Sequence, residues 1–187
     1  MFDKYSLPYQ VQNGDKTLNI RSKCDFRIVL DVIKALNDDE LTDEEKAQCG
    51  LVIFYENYKD IQDVDEALND MIKIISYSDD LERNNDSKPQ LMDWHKDFNY
   101  VVQPINKVVG YDVRDPNKST HWWSFIGAYM EIDDECTFST IVSIRSKKAK
   151  CKKLEKWEED FCREHPEIIA LPQKYSQEEE EVFSLFE

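Results

Sequence analysis

Cys162 and His165 stand one helical turn apart with Cys151 nearby, which is half of a metal-ligand set. Structural zinc takes four ligands, usually in two close pairs, and no second pair is present. His165 also abuts Pro166, a helix-ending residue. Ordinary surface and half-buried side chains are the better reading, and no metal site is assigned. Nucleophilic catalysis needs a Cys or Ser beside a base and an orienting group. The histidines are His95, His121 and His165, and no strand-turn-helix motif presents a nucleophile. Carboxylates cluster in "DDELTDEE" and "DVDE", but these are helix starts, where the dipole accounts for them. No catalytic residue and no cofactor is assigned, and the expectation is a chain that is not an enzyme.

Two further clusters bear on binding. In "RSKKAKCKKLEK", Arg145, Lys147, Lys148, Lys150, Lys152, Lys153 and Lys156 are joined by a single acidic residue, Glu155. Nucleic-acid patches bring interleaved aromatics and a basic whole, and both are missing. A solvated face is the first reading of this basic patch. Pairing with acidic surface on a neighbouring copy, or with the chain's own "EEEE" run, is the second. In "STHWWSFIGAYM", Trp122 and Trp123 are adjacent, about 100° apart on a helix, so one buried stripe cannot hold both. The segment is apolar nearly all round, which predicts a central helix with at least one tryptophan in the core. Trp122, Trp123, Tyr129 and Met130 are the candidate partner-binding or oligomer interface, because tryptophan is enriched among interface hot spots.

The whole chain constrains these readings. It has 187 residues, 41% hydrophobic, with 39 acidic against 24 basic side chains and a net charge of −15. Such a surface repels nucleic acid and anionic lipid, so neither nucleic acid nor membrane is an expected partner. The run "MFDKYSLPYQ" has no signal-peptide pattern, and Cys24, Cys49, Cys136, Cys151 and Cys162 form no CxxC pair. Reduced thiols in a cytosol are the expectation. Only four glycines occur, which disfavours phosphate-binding loops and turn-rich sheets.

The elements that must position these residues are mostly helical. The fold class is mainly α, a compact bundle of about six to seven helices with a small N-terminal β-hairpin. Residues 1–22 form the hairpin packed on the bundle, 23–170 the helical domain and 171–187 an acidic C-terminal tail. Asn13-Gly14 predicts a type I′ turn, placing Leu7, Tyr9 and Val11 on one face with Lys16, Leu18 and Ile20. Phe26, Val29, Leu30, Ile33 and Leu36 form the first helical stripe. Thr42 and Glu45 make a capping box ahead of Ala47, Leu51, Phe54, Tyr55 and Tyr58. Asp63 and Glu66 open a third helix bearing Val64, Ala67, Leu68, Met71 and Ile75. Residues 79–90 are a polar break and candidate mobile loop. Trp94, Phe98, Val101, Ile105 and Val108 then run to Gly110, with Pro104 predicting a kink near Tyr100. Phe138, Ile141, Val142 and Ile144 mark another helix, and Leu154, Trp157 and Phe161 the last strong one. The tail "SQEEEEVFSLFE" forms one short amphipathic turn or stays disordered. No internal repeat is present.

The order of hairpin, "CDFRIVLDVIKAL", "DDELTDEEKAQCGLVIFY", "DVDEALNDMIKII" and "HWWSFIGAYMEIDDECTFSTIVSIRSKK" resembles a family of small helical phage proteins. Tailed phages of Gram-positive bacteria encode them just before the tape measure gene, and they are read as tail assembly chaperones. The resemblance spans about residues 5 to 165, the His-Trp-Trp block and the Ile141–Ser146 region being most specific; the acidic end lies outside it. It implies a non-enzymatic protein that binds the tape measure protein and assists recruitment of tail tube protein. It also implies a place in the host bacterial cytoplasm, absence from the mature virion and, in many members, a longer form made by frameshifting. A homo-oligomer is compatible. The rival from another class is an acidic inhibitor, a DNA mimic acting on a host nucleic-acid enzyme. Mimicry needs a continuous carboxylate stripe, and here the acidic residues are scattered and interrupted by the basic cluster. A hydrolase or metalloenzyme is the third reading and would carry bound metal.

Overall fold

A computed structural model of the chain describes Asp3, residues 5–77 and residues 89–171. Among these the architecture is mainly α, with eight helices and one antiparallel two-stranded hairpin. The chain divides into two units, residues 1–86 with 99–133, and residues 87–98 with 134–187. The boundary runs through a helix, α4 (Trp94–Val109), and the hairpin lies in the first unit. No helix among the described residues is long and apolar enough to cross a membrane.

In the first unit, β1 (Gln10–Asn13) pairs with β2 (Lys16–Asn19) in the register Val11↔Leu18 and Asn13↔Lys16. The turn residues are therefore Gly14 and Asp15, one position later than the sequence predicts. Asn13 explains the shift. Its side chain is fully buried, accepting from the Gln62 and Asp63 amides at 2.8 and 2.9 Å and donating to the Asp63 carbonyl at 2.8 Å. An Asn spent on stitching the hairpin to the helix start at Asp63 cannot be a solvated turn residue, so Gly14 takes the positive φ of 62°. Val11, Leu18 and Ile20 form the buried side, whereas Tyr9 is exposed.

α1 (Phe26–Leu36) starts on Asp25, α2 (Asp43–Phe54) on the expected Thr42–Glu45 capping box, and α3 (Val64–Ser76) on Asp63. In α1 and α3 the buried stripe is turned from the expected one. Phe26, Val29 and Val32 are buried in α1, and Ala67, Met71 and Ile74 in α3, while Val64 is exposed. Gly50 of α2 lets Met71 approach to 3.1 Å of where a Cβ would stand. Between hairpin and α1, Ser22, Lys23 and Cys24 all take left-handed backbone angles. Such residues cost about 1 kcal/mol each. The bend is held by Arg21, whose guanidinium donates to the carbonyls of Val52, Ile53 and Tyr55 at the end of α2. α4 continues through Pro104 and ends at Gly110 with φ 79°, a left-handed C-terminal residue. α5 (Trp122–Met130) buries Trp122, Phe125, Ile126 and Ala128 and exposes Ser124 and Met130, so it keeps a solvent side rather than being covered all round, and Phe125 stacks on Phe26 at 4.3 Å between ring centres.

In the second unit, α6 (Thr137–Ala149) buries Phe138, Ile141, Ile144 and Arg145. α7 (Lys156–Glu164) and the short α8 (Pro166–Ile169) follow. Here Trp157 is 56% exposed and Glu158 is buried, a correction to the stripe expected from Leu154, Trp157 and Phe161. The reason is a capping box in which the Glu158 carboxylate accepts from the Glu155 amide and from Lys147, which turns that side of α7 inward. The polar break lies outside the described residues except at positions 89 and 90, as does the tail beyond Leu171.

Candidate interaction surfaces

Two helix termini organise the surroundings of the tryptophan pair, all within the first unit. The last carbonyls of a helix have no partner inside it. At the end of α3 they are met by the indoles, Trp122 Nε1 donating to the Ile75 carbonyl at 2.9 Å and Trp123 Nε1 to the Ile74 carbonyl at 3.0 Å. Tyr77, in a left-handed conformation, closes that end. Adjacent side chains 100° apart thus serve one job, clasping two successive carbonyls. Trp122 is buried, so of the candidate interface residues it belongs to the core; Trp123 and Tyr129 are half-buried and Met130 is exposed.

His121 fixes the start of α5. Its Nδ1 accepts from the Trp123 amide at 3.0 Å, so the ring proton sits on Nε2, which donates to the Pro8 carbonyl at 3.1 Å. Burial lowers its pKa, partly offset by the Pro8 carbonyl. Beside it, the buried Asp25 carboxylate accepts from Ser119 Oγ at 2.9 Å and the Thr120 amide at 3.1 Å. Asp, Ser and His therefore meet at one place, as hydrolytic triads do. The roles differ: the Ser119 hydroxyl donates to the carboxylate, and both imidazole nitrogens are engaged by backbone. This network holds segments together, and the imidazole has no free nitrogen to take the Ser119 proton. The Cys24 thiol next to it is pushed up to about 12 by burial, far from nucleophilic.

Outside this network, Tyr5, Ser6, Leu7, Tyr77, Trp123 and Ser124 line a shallow open depression of about 240 Å³. Tyr5 and Tyr77 are exposed at its rim. The volume falls short of the roughly 300–1,000 Å³ of small-molecule pockets. Sequence reasoning marked Trp123 but passed over Tyr5, Leu7 and Tyr77. The signal available was weak: Tyr5 and Leu7 precede the hairpin, and Tyr77 closes the apolar stripe of α3.

The basic cluster separates into a buried and an exposed part, all in the second unit. Arg145 is 5% exposed and is no part of a surface patch. Its guanidinium meets the buried Asp97 carboxylate through two bonds of 2.6 and 2.9 Å and donates to the carbonyls of Leu91, Ile168 and Ile169. Lys147 is half-buried and paired with Glu158 at 2.7 Å, a bond that holds the Glu158 carboxyl below its ordinary pKa. Lys148, Lys150, Lys152 and Lys153 are exposed. They sit on an ordered turn, because the Lys152 amide donates to the Lys147 carbonyl and the Cys151 amide to that of Lys148 around left-handed Cys151, a Schellman arrangement.

The residues with metal-ligand spacing do not converge. His165 packs its ring on Phe161 and lies 3.9 Å from Glu167, and no group of three or more Cys, His, Asp or Glu side chains able to hold a metal occurs among the described residues. No curated protein and no solved structure matches the chain. The family model described as "Bacteriophage Gp15 protein" matches residues 6–171.

Proposed function

The chain belongs to the bacteriophage Gp15 protein family, and from that premise we propose that it is a non-enzymatic tail assembly chaperone. In this reading it binds the phage tape measure protein in the host bacterial cytoplasm, helps bring tail tube subunits to it, and is left out of the finished virion.

One observation carries the reading: the aromatic depression of Tyr5, Leu7, Tyr77 and Trp123 on an otherwise strongly acidic chain. Apolar side chains from a helical client would seat there, the helix-in-groove mode of recognition. The net charge of −15 supports the same role by a different route, since like-charged complexes repel and stay dispersed. A client segment bound in this way needs no bond chemistry, which agrees with the backbone-engaged His121. Co-expression with the cognate tape measure protein tests the proposal. The client should become more soluble and co-purify; an insoluble client and no co-purification would count against it.

A further inference from the structure

We propose that the exposed lysines ending α6, Lys148, Lys150, Lys152 and Lys153, are the docking surface for the acidic end of the same chain, Glu178–Glu181. This goes beyond the chaperone reading and does not depend on it. Cations at a helix C-terminus complement the dipole, but that end carries only about half an elementary charge. One or two lysines suffice for it, so most of this positive charge has no counterpart among the described residues. None of the four makes an ion pair with a described residue, whereas neighbouring Lys147 and Arg145 are both paired.

The place where the chain leaves the described residues favours this occupant. The carbonyls of Ile168 and Ile169 are held by Arg145, and that of Ala170 by Lys96. The exit is thereby fastened in part to α6 through Arg145, whose backbone position lies about 6 Å along the axis from the last residue of that helix, Ala149. From Leu171 to Glu178 the chain spans up to roughly 25 Å when extended, ample for the turn just beyond Ala149. Residues 172–187 contain Glu178–Glu181 and Glu187 against the single cation Lys174. Tethering raises the effective concentration to about the millimolar range, so weak, salt-screened pairs can still close.

Zero-length carbodiimide coupling of the full chain, with ¹⁴N- and ¹⁵N-labelled protein mixed, tests this. At low salt, links should join Glu178–Glu181 to the four lysines within one isotopic species, and should fade at about 1 M salt, where screening acts within about 3 Å. No such links, or links chiefly between light and heavy copies, would overturn the proposal, the latter by assigning the surface to a second copy. Independently, full-length protein carrying E178Q, E179Q, E180Q and E181Q should bind a polyglutamate peptide about fivefold more tightly than the unchanged chain, the scale that four exposed pairs sustain. Equal affinity would also overturn it.

Discussion

Asp97→Ala removes the carboxylate from beneath Arg145 and leaves a buried guanidinium. All five guanidinium N–H groups have acceptors: two on Asp97 and three on the carbonyls of Leu91, Ile168 and Ile169. Breaking a buried ion pair from one side costs about 3–5 kcal/mol. Because the three carbonyls still solvate the charge, the lower end of that range, about 3 kcal/mol, is expected. The Asp93 amide also loses its acceptor on Asp97, which keeps the figure from falling further. Arg145→Met should cost more, since it strands a carboxylate and three carbonyls together. The double variant Asp97→Leu with Arg145→Met should cost less than the sum of the single changes by at least about 2 kcal/mol. Urea unfolding gives the energies. Hydrogen exchange locates them, with amides of α6 losing about a hundredfold protection for a loss of about 3 kcal/mol. An Asp97→Ala variant within about 1 kcal/mol of the parent, or additive single changes, would refute the view that this pair organises the second unit.

Three other outcomes follow from particular contacts. His121 has a folded pKa below its unfolded value, so its contribution is present above about pH 6.5 and is lost as pH falls through the lowered folded value. Thermal melts between pH 7.5 and 5 should show this loss, and His121→Asn should shrink it; a slope unchanged by the substitution would refute it. Trp123→Phe keeps an aromatic ring but removes the indole donor, leaving the Ile74 carbonyl only the longer bond from the Tyr77 amide at 3.4 Å, an expected loss of about 1 kcal/mol by urea titration. Gly14→Ala should cost about 1–2 kcal/mol by the same assay, because φ is 62° and the new Cβ would collide with the Gln62 side chain that accepts from the Asp15 amide.

Elements announced by local chemistry were legible in the sequence. Thr42 with Glu45 and Asp63 with Glu66 mark helix starts because capping bonds are made between near neighbours, and the apolar run from Trp122 to Met130 marks a helix with a buried side. What escaped depends on distant partners. The hairpin turn slipped by one residue because Asn13 is held by residues about fifty positions away. Arg145 reads as one of seven basic residues until Asp97 and three carbonyls are brought around it. Trp157 reads as core by spacing, yet Glu158 is preferred inside because its partners Lys147 and the Glu155 amide await it there. The candidate depression was half legible: a surplus tryptophan shows in the sequence, but Tyr5, Leu7 and Tyr77, which join Trp123 in lining it, do not.

Pull-down of the cognate tape measure protein from co-expressing cells tests most directly whether the chain works by holding another protein's apolar surface. The unchanged chain should retain the client, and a Tyr5→Ser, Tyr77→Ser variant with an unaltered melting curve should lose most of it. Equal retention by both proteins, or none by either, would contradict the account.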